Sequence, residues 1–214
     1  VAGGAVQTPA LLRRSGIRGS VGNTLSLHPT VKVVAVFPQP VNAPGTGVPA
    51  EQVKEFAPEL SFGCSISTPP YLALAMAEHG AAATARVREG WPHMAIYYAM
   101  TLGMPHGRVR TLPGLADPLV RYPVSPGELQ RLADGLRKLC RLLFAAGAEA
   151  LYPSLSGGPA LTGPGPVDVL PELLEEVAGH GDDIAHRVGG LPRCHDGEGC
   201  VLLFLEQRTR QAAQ

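Results

Sequence analysis

The stretch Val1–Ile17, VAGGAVQTPALLRRSGI, predicts the end of a strand, a turn at Gly3-Gly4 and a short helix. Thr8 can cap the N-terminus of that helix, Pro9 suits its first position, and Gly16 can stop it. Because glycine has no side chain, the backbone N–H groups of such a turn can approach a phosphate or a cofactor ring. A glycine turn before a helix is also a common plain connection, so both interpretations stay open on the residues alone.

The order of residues in this stretch is more specific than its shape. The pattern Gly4-Ala5-x-x-Thr8-Pro9-x-x-Leu12-x-x-Ser15-Gly16-Ile17 resembles the second signature of the glucose–methanol–choline (GMC) oxidoreductases, FAD enzymes that oxidise alcohols. The pattern Val21-Gly22-x-x-Leu25-x-x-His28-Pro29 resembles the segment that follows it in that family, although Arg18 stands where the family usually has glycine. The resemblance implies that residues 1–29 are a remnant of a Rossmann-like FAD-binding domain. The FAD-binding residues it implies are Gly3, Gly4, Ala5, Thr8 and Pro9.

Composition excludes several classes of protein. The chain has 214 residues, 45% of them hydrophobic, which is enough for a core and for one domain or one and a half. Eighteen basic and 18 acidic residues cancel, and no basic stripe is present, which argues against a nucleic-acid partner. No apolar run could span a membrane and no signal peptide is visible, so a cytoplasmic location is expected. The chain starts at Val1 within the predicted strand, and we therefore expect it to be a piece of a larger protein.

The rest of the chain alternates short strands with two stronger helices. Ser125-Pro126-Gly127-Glu128 is a capping box, and an apolar stripe at helical spacing follows it as far as Gly147. A second helix is predicted from Tyr71 to Arg88, and a short one from Val169 to Ala178. The predicted strands are residues 30–37, 59–65, 93–100, 107–110, 119–122 and 150–153, whose tight links favour antiparallel pairing.

These elements predict an α+β fold. We expect one antiparallel sheet that includes Val31–Phe37, Met94–Met100, Val109–Thr111 and Leu119–Tyr122, with the Ser125–Ala146 helix packed on it. The face of that helix that meets the sheet is expected to carry Leu132, Leu136, Leu139 and Leu143.

The middle of the chain also resembles the GMC proteins, chiefly the branch that acts on long-chain or bulky alcohols. The resemblance rests on Gly107-Arg108-Val109-Arg110, on Tyr122, on residues 142–148 and on Pro153. It implies that residues 30–189 form the family's substrate domain, an antiparallel sheet with helices on one face that roofs the flavin. Residues 190–214 are then a divergent tail.

Alcohol oxidation needs a base, and histidine suits that role because its pKa lies near working pH. Asp183–Gly189 resembles the late segment in which the family carries an active-site histidine, which implies His186 as the catalytic base. The sequence departs from the family after Gly189. If the resemblance holds, Val1–Pro9 and Asp183–Gly189 should be neighbours in space. We predict no metal site, since Cys194, His195 and Cys200 lack the paired spacing of zinc ligands.

The functional expectation follows from what is present and what is missing. The resemblance implies part of an FAD-dependent enzyme that passes hydride from an alcohol CH–OH group to flavin. The sequence contains no G-x-G-x-x-G segment for the ADP half of FAD, so we expect the chain to be inactive alone. It would need an N-terminal FAD domain and a C-terminal return segment as partners. A stand-alone module for an apolar ligand and a non-functional truncated fragment are the alternatives.

Overall fold

A computed structural model of the chain describes residues 3–47, 49–155 and 158–170. Five α-helices lie within them: α1 Gly4–Arg14, α2 Pro69–Met76, α3 Ala81–Ala85, α4 Val87–Gly90 and α5 Pro126–Ala145. The strands are β1 Thr30–Val36, β2 Gln52–Val53, β3 Leu60–Cys64, β4 Met94–Thr101, β5 Arg108–Arg110, β6 Leu119–Arg121 and β7 Ala150–Pro153. Short 3₁₀ turns cover Ala77–His79, Trp91–His93 and Gly165–Val169.

The main sheet has its strands in the order β2-β3-β4-β1-β7, and every neighbouring pair is antiparallel. Strand β1 lies inside the sheet, where Val33 is opposite Tyr97 of β4 and Pro153 of β7. Its β-branched residues suit such a position, because both faces of an inner strand are packed. The predicted α+β class with an antiparallel sheet is confirmed.

Helix α5 covers one face of this sheet. Its N-cap Ser125 and Glu128 form the predicted capping box, with the Glu128 N–H donating to Ser125 Oγ at 3.3 Å. The four predicted leucines are buried with Val31, Val33 and Ala35 of β1 in one core. The prediction for this helix is therefore confirmed in its start, its length and its buried face.

Helix α2 covers part of the opposite face, where Leu72 and Met76 pack against Val34 and Ile96. The resemblance implied helices on one face only, and the structure differs in this respect. The predicted helix from Tyr71 to Arg88 is also wrong as a single element. Gly80 has φ 87°, which an α-helix cannot contain, so α2 ends before it and α3 begins after it.

Strands β5 and β6 pair with each other and not with the main sheet, which corrects the prediction of one sheet. The reason is that β4 already pairs with β3 at one edge and β1 at the other, so no edge next to it is open. The β5–β6 hairpin instead packs with the N-terminal segment. An isolated bridge joins Leu25 to Gly107, and Leu25, Val109 and Val120 form a small separate core.

Within the described residues, no helix is long and apolar enough to cross a membrane. The predicted helix at Val169–Ala178 lies almost wholly outside them, as do residues 171–189 of the predicted substrate domain and the predicted tail.

Candidate functional site

The predicted cofactor turn lies at the exposed start of α1. The helix begins at Gly4, so Thr8 and Pro9 lie within it and do not cap it, contrary to the prediction. Thr8 Oγ1 instead accepts a hydrogen bond of 2.9 Å from the backbone N–H of Gly3. The cause is Gly4, whose φ of 74° lets the chain enter the helix four residues earlier than Thr8. The predicted strand before it falls on residues 1 and 2, outside the described residues.

This turn is open to solvent. Gly3, Gly4 and Ala5 are exposed, and a Cβ added at Gly4 would have no neighbouring atom within 4 Å. The first N–H groups of a helix have no partner inside the helix, so those of α1 are available to an acceptor outside it. Of the five predicted residues, Gly3, Gly4 and Ala5 thus lie in an accessible turn, and Thr8 and Pro9 lie half-buried in the helix that follows. Their contact with FAD stays a prediction.

The free face of the main sheet forms a cleft beside α2. The cleft has a volume of about 400 Å³, and its wall includes Lys32, Tyr71, Leu74 and Ile96. Beyond it the same face continues over Tyr98 and other half-buried side chains of β3 and β4. An apolar surface with a few polar groups can hold a mainly apolar molecule by one end.

None of the described histidines lines this cleft. His79 Nε2 lies 2.8 Å from the carbonyl oxygen of Pro153, and His93 Nδ1 lies 3.1 Å from that of Phe37. His106 Nε2 lies 2.5 Å from the carbonyl oxygen of Pro123, and His28 is exposed. Their contacts with backbone carbonyl groups, or their exposure, indicate structural or surface roles for these four histidines. His186 lies outside the described residues, so its predicted proximity to Val1–Pro9 stays a prediction.

A buried carboxylate at the start of α5 is the strongest polar site in the described part of the chain. Glu128 has no exposed surface. Its Oε2 accepts from the Ser125 N–H and hydroxyl, both at 2.7 Å. Its Oε1 accepts from the Met104 N–H at 3.0 Å and from the Tyr122 hydroxyl at 2.9 Å. His106 Nε2 lies 3.7 Å from Oε2.

These hydrogen bonds decide the protonation state of Glu128. Burial raises the pKa of the carboxyl, but the donors at Ser125, Met104 and Tyr122 together outweigh it and lower the pKa to about 2. Burial, with the hydrogen bond to Glu128, raises the pKa of Tyr122 well above its usual range. Glu128 is therefore a carboxylate at neutral pH and cannot supply a proton, which indicates a structural role.

The sequence predicted some of the hydrogen bonds of Glu128 and not others. The capping box predicted the contact between Glu128 and Ser125, because that contact is local. It did not predict the contacts from Met104, which lies in a loop, and from Tyr122, which directly follows β6. Gly103 permits their approach, since a Cβ there would lie 2.2 Å from the Leu27 carbonyl oxygen and 2.3 Å from the Tyr122 hydroxyl.

No cluster of three metal-ligand side chains occurs among residues 3–47, 49–155 and 158–170. The predicted absence of a metal site is not tested at Cys194, His195 and Cys200, which lie outside these ranges.

Comparison with known proteins identifies relatives over most of the chain. The uncharacterized GMC-type oxidoreductase y4nJ of Sinorhizobium fredii is 41% identical over 170 residues, which is 78% of this chain and 33% of that protein. The uncharacterized GMC-type oxidoreductase Rv0492c of Mycobacterium tuberculosis is 36% identical over 180 residues, which is 82% of this chain and 27% of that protein. The chain thus spans 27–33% of the length of these relatives. No family model matches it.

Proposed function

Because the chain is homologous to a part of the GMC-type oxidoreductases, we propose that it is the substrate-side part of an FAD-dependent enzyme acting on the CH–OH group of an alcohol. The identity of 41% over 170 residues carries the proposal. The relatives are GMC-type oxidoreductases, and the resemblance of the two sequence motifs to that family adds FAD and the alcohol to the proposal. In this proposal residues 1–29 belong to the FAD-binding part, residues 30–189 to the substrate domain and 190–214 to a divergent tail.

The accessible start of α1 suits a flavin cofactor. Gly3, Gly4 and Ala5 leave their backbone uncovered, and no side chain fills the space in front of Gly4. In the proposal Gly4 and Ala5 would hold the cofactor through backbone N–H groups. Gly3, whose N–H already donates to Thr8, and Thr8 and Pro9 would contact it through their other atoms, since proline has no N–H. When bound, FAD supplies the acceptor for the hydride of the alcohol carbon.

The cleft beside α2 suits the carbon skeleton of the substrate. Leu74 and Ile96 supply apolar surface, and Lys32 and Tyr71 lie in the same wall. This composition favours a bulky or long-chain alcohol over a small one. In the proposal, His186 accepts the hydroxyl proton as the C–H bond breaks, in its neutral form. The activity requires the FAD domain and the return segment of a longer parent, and a cytoplasmic location is part of the same proposal.

A chimera tests the proposal. Residues 1–189 of this chain replace the corresponding stretch of the S. fredii relative, and the purified protein is assayed for FAD content and for dye reduction with primary and secondary alcohols of increasing size. We expect bound FAD and a preference for bulky or long-chain alcohols. The unmodified relative, assayed on the same panel, is the control. The proposal would be contradicted by a chimera that binds FAD but oxidises none of the alcohols, if the unmodified relative oxidises at least one of them.

One observation favours the alternative of a module that binds an apolar ligand without flavin. A separate cavity of about 260 Å³ lies between α5 and the β2–β3 edge, and its wall is largely apolar, including Phe37, Phe62, Leu139 and Leu143. Binding of a fluorescent fatty-acid probe to the purified chain, lost in Leu139→Arg, would support this alternative. A probe that does not bind would remove it.

A further inference from the structure

Three arginine side chains meet where α1 packs against the β5–β6 hairpin. Arg13 Nη1 donates to the carbonyl oxygen of Val21 at 2.8 Å. Arg110 Nη1 donates to the carbonyl oxygen of Gly22 at 3.1 Å. Val21 and Gly22 are consecutive residues, so the two guanidinium groups bind neighbouring carbonyl groups of one short segment.

Arg108 adds a third positive charge to the same place. It precedes Arg110 by two residues on β5, so both side chains leave the strand on one face, and buried Val109 points to the other. We call Arg13, Arg108 and Arg110 the arginine cluster. Burial, then the charges of Arg13 and Arg108, lower the pKa of Arg110, which agrees with this proximity.

Among the described residues, no ion pair joins a carboxylate to Arg13, Arg108 or Arg110. Arg13 Nε is buried and has no hydrogen-bond partner among the described residues. The whole chain has a net charge of zero, so the cluster does not reflect a generally basic surface. Like charges held together cost free energy, and a bound anion would remove that cost.

We propose that the arginine cluster binds the phosphate group of a small ligand. Guanidinium groups present paired N–H donors whose spacing matches the oxygens of phosphate. A phosphate group carries up to two negative charges and three strong acceptors, which suits three cations better than the single charge of a carboxylate. The site contains none of the five residues of the proposed flavin turn and none that line the cleft beside α2, although Arg13 lies within residues 1–29. Phosphate binding by the chain without flavin is therefore tested separately from the oxidoreductase activity.

The test measures phosphate binding to the purified chain without flavin. Inorganic phosphate is titrated by calorimetry at constant ionic strength, and thermal unfolding is followed with phosphate or with chloride. Arg110→Gln and Arg108→Gln are each expected to weaken phosphate binding about 10–100-fold, the loss of one charge-assisted contact. Exposed Arg88→Gln is the matched control and should bind as the wild type does. ADP in a parallel titration shows whether a nucleotide phosphate is preferred to the free ion.

The comparison between variants separates a specific site from general salt effects, because phosphate stabilises many proteins by exclusion from their surface. Among the described residues the exposed side chain of Arg108 makes no hydrogen bond like the one from Arg110 to Gly22, so Arg108→Gln remains informative if Arg110→Gln does not fold. Equal phosphate responses in the wild type and both cluster variants would overturn the proposal. Acetate binding as tightly as phosphate at the same ionic strength would overturn the choice of phosphate, and an absence of binding would overturn the site itself.

Discussion

Glu128 joins three parts of the chain through one carboxylate. Its oxygens accept from Ser125 at the start of α5, from Met104 in a loop and from Tyr122 beyond β6. Glu128→Gln places an NH₂ group against two of these donors, so we expect the free energy of unfolding to fall by about 2–4 kcal/mol. Urea denaturation at neutral pH measures this loss.

Asp134→Asn in the same helix is the control for that substitution. Asp134 pairs with Arg137 at 3.0 Å on a partly exposed surface, and loss of such a pair should cost less than about 1 kcal/mol. A Glu128 variant no less stable than the Asp134 variant would show that the buried hydrogen bonds add little to stability.

The lowered pKa of Glu128 also predicts a pH dependence. The carboxyl titrates near 4.5 in an unperturbed chain and at about 2 in the fold, so the folded state favours the charged form. Its contribution is complete above pH 4.5 and is lost as the pH falls from there towards 2. The difference in unfolding free energy between wild type and Glu128→Gln should shrink over that interval and stay constant above it. Acid-range urea titrations of both proteins measure it, and a difference that does not change with pH would refute the assignment.

At the scale of elements, local signals predicted helices and strands better than they predicted pairing. The capping box and leucine stripe of α5 are local, and they gave its start, length and buried face correctly. The predicted strand boundaries lie within one residue of those of β1 and β3 to β7. The placement of β5 and β6 depended on which edges of β4 were already occupied, and that is decided by β1 and β3, far away in sequence. The break at Gly80 could not be predicted, because an isolated glycine only lowers helix propensity and its positive φ is decided by the surrounding structure.

Gly135 sets how closely α5 approaches the sheet. A Cβ there would lie 2.9 Å and 3.0 Å from the two methyl carbons of Leu60 and 3.1 Å from Ala99 Cβ. Gly135→Ala gains about 1 kcal/mol of helix propensity but forces this contact apart, which costs about 1–3 kcal/mol. We therefore expect a net loss of up to about 2 kcal/mol in thermal or urea unfolding.

Gly127→Ala in the first turn of α5 provides the matched comparison. A Cβ at Gly127 would meet only Arg131 Nη1, at an ordinary 3.7 Å, so the propensity gain should appear with no packing cost. This variant should be as stable as the wild type or more so. Equal stability of the two alanine variants would show that the sheet yields to the added methyl group.

At the scale of the whole molecule, the family motif located an accessible turn but gave the wrong geometry for it. Thr8-Pro9 is a common helix start, and the sequence alone could not show that Gly4 would take positive φ and begin the helix earlier. The arginine cluster was also missed. Its members come from α1 and β5, which are almost one hundred residues apart, and only the packing of the N-terminal segment on the hairpin brings them together.

The purified chain should be colourless. The turn at Gly3-Gly4 provides a few backbone donors, whereas FAD in a dinucleotide domain is held along its whole length, including the ADP half. The absorbance spectrum after mild purification, and again after incubation with FAD and dialysis, tests this. A stoichiometric flavin spectrum would show that the start of α1 and the residues around it bind FAD without further protein.

The assignment of His186 joins the two ends of the chain and is tested only in an assembled enzyme. A base must come within hydrogen-bond reach of the substrate hydroxyl, so the proposal requires His186 to lie beside the substrate and the bound flavin. In the chimera with the S. fredii relative, His186→Ala should lower kcat by about 10²–10⁴-fold, the usual contribution of a positioned acid–base group, while FAD stays bound. His180→Ala is the control, since that histidine lies nearby in sequence and has no motif around it. Steady-state assays and the flavin spectrum of each variant separate loss of the base from loss of the cofactor. Unchanged turnover in His186→Ala would remove His186 from the mechanism, and release of FAD would place it among the residues that hold the cofactor.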